Sequence, residues 1–181
     1  MLTLVLGGTK AGKSSFAARL AQRTGRSVTV LATGVAGDRE MRQRVAAHRR
    51  QRPPQWTVIE ESLEIGRALT PGVEVVLLDS VDSWLFNRME HQGGDDANFT
   101  LDLGAELVEA CDRELGELAT GAQVIAVTAE VGLSLLPMSP YGRAFTDLLG
   151  LLNQRLAARA ERCYLMVAGI PIPLDRFRED P

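Results

Sequence analysis

The stretch Leu2-Thr3-Leu4-Val5-Leu6-Gly7-Gly8-Thr9-Lys10-Ala11-Gly12-Lys13-Ser14 decides how the rest of the chain is read. A short apolar run leads into residues 7–14, which satisfy G-x-x-x-x-G-K-[ST], the P-loop pattern. Its glycines let the backbone curl until successive N–H groups face one anion, and a following helix adds the positive end of its dipole. Gly7, Gly8, Thr9, Lys10, Ala11, Gly12, Lys13 and Ser14 are therefore expected to line the phosphates of GTP or ATP. Lys13 is expected to reach the β- and γ-phosphates as a catalytic cation, and the Ser14 hydroxyl to ligate Mg2+. Of 20 basic residues only Lys10 and Lys13 are lysines, and both lie in this loop. A compact ammonium fits among phosphates where the wider guanidinium does so poorly.

Outward from the loop, short apolar runs recur at Leu2–Leu6, Ser27–Ala32, Val73–Asp79, Gln123–Thr128 and Cys163–Val167. They are apolar throughout rather than alternating, as in strands buried on both faces of a parallel sheet. Helical patterns fall between them at Lys13–Thr24, Gly37–Arg50, Ser62–Leu69, Asn98–Ala119 and Tyr141–Arg162. The alternation predicts an α/β, P-loop NTPase-like fold: a doubly wound, mainly parallel sheet flanked by helices, in a single domain over 1–181. Pro53-Pro54 precede a short extra strand near Trp56–Ile59, Gly93-Gly94-Asp95-Asp96 reads as a loop, and the tail after Gly169 as extended.

A net charge of −3 gives no support to general nucleic-acid binding. Cys111 and Cys163 lack metal-ligand spacing and read as reduced thiols of a cytoplasmic protein. The longest apolar runs are too short to span a bilayer, so no membrane insertion is expected. A cleaved signal peptide is not expected either, since it would carry the phosphate loop away.

Asp79 closes the apolar run Val73–Leu78, where a P-loop fold places its magnesium-side carboxylate. Asp82, three residues on, either shares that site or caps the next helix. His48 stands among Arg44, Arg49, Arg50 and Arg52, and its four-residue spacing from Arg44 and Glu40 puts the three on one helical face. Neighbouring cations favour the neutral, nucleophilic imidazole and would hold a triphosphate for attack. A solvated charged helix face explains the same spacing.

The ordered set of motifs resembles the bifunctional adenosylcobinamide kinase/adenosylcobinamide-phosphate guanylyltransferase family of cobalamin biosynthesis. The likeness runs from the N-terminal P-loop through Ala32-Thr33, Glu40-Met41, His48, Arg52-Pro53, Trp56, Leu78-Asp79, Trp84 and Asn87. It continues with Glu130-Val131-Gly132, Pro137, Phe145, Asp147, Leu152-Asn153-Gln154-Arg155-Leu156-Ala157 and Ala168-Gly169-Ile170-Pro171. The resemblance implies phosphorylation of adenosylcobinamide by a nucleoside triphosphate. It also implies transfer of GMP from GTP, through a guanylylated His48, to adenosylcobinamide phosphate. It further implies that Ala32, Thr33, Gly34, Arg49, Arg50, Gln51, Arg52, Glu60 and Asp82 hold the nucleotide, and that the chain is a homo-oligomer, a trimer in the family. Three positions depart from the family pattern: Ala129 for asparagine, Ser80 for cysteine, and Asp82 for threonine or serine.

Two other readings remain open on the residues alone. One is an ordinary P-loop small-molecule kinase with His48 a bystander; the other is a GTP-binding switch without turnover. The arginine-dense stretch surrounds the histidine, which fits guanylyl transfer better than a kinase lid over the γ-phosphate. No residue declares itself as a water-positioning group for a switch.

Overall fold

The computed structural model describes residues 1–35, 53–93 and 101–178, with residues 101 and 102 described by backbone only. Among these residues seven strands form one sheet: β1 (Leu2–Gly7), β2 (Val28–Ala32), β3 (Thr57–Glu60), β4 (Val75–Asp79), β5 (Gln123–Val127), β6 (Arg162–Val167) and β7 (Ile170–Pro173). Their order is β3-β2-β4-β5-β1-β6-β7, parallel throughout except for β7, which runs antiparallel to β6. Four helices accompany it among the described residues: α1 (Lys13–Gln22), α2 (Val81–His91), α3 (Leu101–Gly121) and α4 (Pro140–Arg159).

Each central strand is apolar on both faces because each face has its own cover. Leu2, Leu4 and Leu6 of β1 point to the side where Trp84, Leu85 and Met89 of α2, Leu107, Cys111 and Leu115 of α3, and Leu149 and Leu152 of α4 pack. Val5, Val30, Leu77 and Ile125 point the other way, onto Ala17 and Ala21 of α1. This is the doubly wound arrangement expected from the sequence. The edge strand β7 carries Pro171 and Pro173, which deprive that edge of donors for a further strand.

Three elements differ from expectation. Residues 62–69 form turns, not a helix. The Glu61 carboxylate takes the Leu63 and Glu64 N–H groups, and Glu114 of α3 takes that of Gly66, so competing acceptors replace the intrahelical ladder. Conversely, Val81–His91 is a helix that the sequence reading left out, although Val81, Trp84, Leu85 and Met89 share a buried stripe. Helix α4 stops at Arg159 rather than Arg162, because Arg178 donates to the carbonyls of Ala157 and Ala160 at its end. The tail turns back through Ala168 and Gly169, both at positive φ, to make β7. The helix expected over Gly37–Arg50 and the loop residues Gly94–Asp96 lie outside the described residues.

Candidate active site

The C-terminal edge of the parallel strands gathers the site. Ala32 at the end of β2 is paired with Glu60 of β3 on one side and Asp79 of β4 on the other, so the three occupy one row. The glycine-rich loop leaves β1 at the same edge and enters α1. Open α/β sheets bind ligands at this edge.

The loop is built for close backbone approach. Gly7 and Gly12 have φ of 154° and 94°, and a Cβ on Gly7 would lie 2.7 Å from the Met166 carbonyl oxygen of β6. Lys10 also adopts a positive φ. From below, the turn before β7 steadies the loop, with Gly169 donating its N–H to the Ala11 carbonyl at 3.0 Å. Lys13 folds back over the loop and donates from Nζ to the carbonyls of Gly7 and Gly8, both at 2.9 Å. Burial lowers its pKa, and the carboxylates of Asp82 and Asp79 oppose that shift.

Ser14 donates from Oγ to Asp79 Oδ1 at 3.2 Å. Two hard oxygen donors, one anionic, thus meet at the first turn of α1, the donor set that Mg2+ prefers. Asp82, on the first turn of α2, has its Oδ1 buried without a hydrogen-bond partner among the described residues. Burial pushes its carboxyl above the usual carboxylate range, although Ser80 and Lys13 pull the other way. Asp82 does not cap α2; Ser80 occupies the N-cap position.

Thr33 is fully buried, and its hydroxyl clamps the residue after Asp79. Its Oγ1 donates to the Ser80 carbonyl at 2.6 Å and accepts from the Ser80 N–H at 2.8 Å. Asn87 of α2 donates from Nδ2 to the Thr33 carbonyl at 2.7 Å and to that of Ser62 at 3.4 Å. In the sequence Asn87 was marked only by the family likeness, not by any sign of this tie. Asn153 of α4 plays a like part under β5: its Oδ1 accepts from Thr128, and its Nδ2 donates to the Ala129 carbonyl.

Beyond the clamp opens a cavity of about 710 Å³, walled by Gly34, Ser62, Asp82, Phe86, Asn87 and Phe145 among others. Phe86 and Phe145 meet edge to face at 5.8 Å. A second cavity of about 600 Å³, beside Gly72, Val73, Gly121 and Ala122, sits at the opposite edge of the sheet and away from the loop. Glu60 is exposed at the end of β3, whereas His48, Arg49, Arg50, Gln51 and Arg52 lie outside the described residues. Both cysteines are free and buried, as expected. Burial pushes the Cys111 thiol up to about 12, so it is inert at neutral pH. Among the described residues, no helix is long and apolar enough to cross a membrane.

A P-loop at the C-terminal edge of a doubly wound sheet, with a serine and a strand-end aspartate beside it, defines a P-loop NTPase-like protein. The solved structure of a type III secretion ATPase shares this fold, with a TM-score of 0.50 at 10% identity; the match covers 91% of this chain and half of that one. Residues 3–174 match the family described as cobinamide kinase / cobinamide phosphate guanyltransferase, and the chain belongs to that family. The bifunctional adenosylcobalamin biosynthesis protein CobP of Pseudomonas aeruginosa is 39% identical over 177 residues, 96% of this chain and 97% of that protein. Its counterpart CobU of Escherichia coli is 34% identical over 182 residues, 96% of this chain and 99% of that protein. The chain is therefore an enzyme with both kinase and guanylyltransferase activity, which removes the simple kinase and the switch from consideration.

Proposed function

We propose that this single-domain enzyme of cobalamin biosynthesis runs both reactions at the C-terminal edge of its sheet, using one phosphate cradle and His48. In the kinase reaction, the hydroxyl of adenosylcobinamide attacks the γ-phosphate of ATP or GTP, and the nucleoside diphosphate leaves. Lys13 follows the migrating charge, for which it must give up the carbonyls of Gly7 and Gly8. Ser14 and Asp79 hold Mg2+, which neutralises phosphate charge when bound.

In the second reaction the neutral His48 imidazole attacks the α-phosphate of GTP. An N–P bond forms, the bond to the β-phosphate breaks, and pyrophosphate departs from the P-loop. A phosphate oxygen of adenosylcobinamide phosphate then attacks the same phosphorus. The N–P bond breaks, His48 is restored, and adenosylcobinamide-GDP is released. Dividing the displacement in two lets one histidine serve donor and acceptor in turn.

Ala32, Gly34, Glu60 and Asp82 hold the guanine nucleotide together with Arg49, Arg50, Gln51 and Arg52. The placing of Ala32 and Glu60 in the row of Asp79 supports this. Thr33 contributes by shape, since its side chain is enclosed. The enzyme works in the cytoplasm as a homo-oligomer, a trimer by likeness to its family. The observation that carries the reading is the family match over residues 3–174 with the P-loop intact.

The test is incubation with magnesium and GTP labelled at the α-phosphate, followed by denaturation. Label kept on the protein, lost in acid and absent from His48→Ala is the expected result. GTP that binds but leaves no label on the denatured chain would overturn the covalent route.

A further inference from the structure

Between β5 and α4 the chain runs through Val131-Gly132-Leu133-Ser134-Leu135-Leu136-Pro137-Met138, a segment with no charged residue. Leu133, Leu135, Leu136 and Met138 expose 84, 95, 74 and 95% of their surface. The loop beneath them is nevertheless firmly built. Ser134 donates its N–H and its hydroxyl to the Val131 carbonyl. Arg143 donates to the carbonyls of Pro137 and Met138, and Ser139 caps α4 by accepting from the Gly142 N–H. At its root, Glu130 donates its N–H to the Gly7 carbonyl at 3.1 Å, so the loop is joined directly to the phosphate cradle. Four large apolar side chains are thus held outwards on an ordered support at the rim of the active site, a surface that implies an occupant.

We propose that this loop is the docking surface for the corrin ring of the acceptor. This rests on the kinase reading above and extends it to the substrate's body. The acceptor hydroxyl sits at the end of a side arm, so when that arm reaches the γ-phosphate the macrocycle must rest on the rim. The ring presents apolar faces fringed with neutral amides, and the loop offers apolar side chains, the Ser134 hydroxyl and no charge. Extent points the same way. At roughly 100 Å² per side chain the four supply about 400 Å², half of the about 800 Å² that each member of a stable protein pair buries. That is less than a stable protein pair buries by itself, and a patch of this size suits one face of a macrocycle.

The double variant Leu135→Ser, Met138→Ser removes the two most exposed side chains, which touch nothing that folding needs. Steady-state kinase assays with cobinamide as the probe should show its KM raised about tenfold or more, a loss of about 1.4 kcal/mol per decade of binding. Labelling of the variant by GTP alone, in the absence of cobinamide, should match the wild type and shows that the fold is intact. An unchanged KM would overturn the proposal, and so would a drop in solution mass, which would assign the loop to contacts between copies. Failure of the wild type itself to phosphorylate cobinamide would instead refute the reading on which the proposal rests.

Discussion

Thr33→Val tests whether the end of β4 is held in place from β2. The substitution keeps the shape of a fully buried side chain and deletes one hydroxyl. That hydroxyl makes two hydrogen bonds to the Ser80 backbone, at 2.6 and 2.8 Å, and valine leaves both Ser80 groups unpaired. Each lost bond costs about 1 kcal/mol, and stranding the partners adds to it. Ser80 is half-buried, so water reaches part of the freed pair, which limits the total to about 2–3 kcal/mol. For a chain of this size that lowers Tm by about 4–12 °C, measurable by calorimetry or by urea unfolding with unchanged m-value. Because Ser80 follows Asp79 directly, the KM for magnesium nucleotide should rise in the same variant. Thr33→Ser, which keeps the hydroxyl, should restore both properties. A valine variant within about 1 kcal/mol of the wild type would refute the clamp, since two unpaired backbone groups cannot be so cheap.

Further outcomes follow from the same geometry. Lys13→Ala should lower kcat of both reactions by about a hundredfold or more, the usual loss when one donor to a developing phosphate charge is removed; a variant impaired in only one reaction would show that the lysine is not shared. Gly7→Ala drives a Cβ to within 2.7 Å of the Met166 carbonyl oxygen at a backbone angle alanine resists, so nucleotide binding should be lost before fold, as read by titration calorimetry beside circular dichroism. Asp82→Asn should stabilise the protein. Burial raises this carboxyl's folded pKa above its unfolded 3.8, so stability falls as pH rises from the unfolded to the folded value and stays reduced above both. The asparagine variant should therefore gain in Tm at neutral pH, with the gain vanishing below the unfolded value. A gain independent of pH would mean that the carboxyl is not desolvated.

How much was readable in advance depended on how local each feature is. The P-loop was legible because eight contiguous residues determine its path, and Asp79 because it ends an apolar run. The row of Ala32, Glu60 and Asp79 was not readable from the residues alone, since strands distant in sequence set its register. Residues 62–69 looked helical until Glu61 and the distant Glu114 captured the backbone donors that a helix needs. Helix α2 was absent from the sequence reading although its apolar stripe of Val81, Trp84, Leu85 and Met89 was present. The roles of Thr33 and Asn87 were hidden for a different reason: a side chain that bonds a backbone carbonyl across the fold leaves no pattern in sequence.

One cradle serving two reactions constrains their order. The chain has a single P-loop, since its only two lysines lie within one motif. On the proposed mechanism the γ-phosphate faces the acceptor in phosphorylation, whereas in guanylylation the β- and γ-phosphates leave as pyrophosphate and the α-phosphate faces His48. The same loop cannot hold both triphosphates at once, so on the proposed mechanism a freshly guanylylated chain carries an emptied cradle. The phosphorylated acceptor then needs no second nucleotide to complete the transfer, only a path from the γ-phosphate position to the histidine. A corrin ring resting on the Val131–Met138 loop, joined to Gly7 at its root, could remain docked while its arm swings between the two. The apolar rim therefore matters to both steps, and the phosphate cradle sets their alternation.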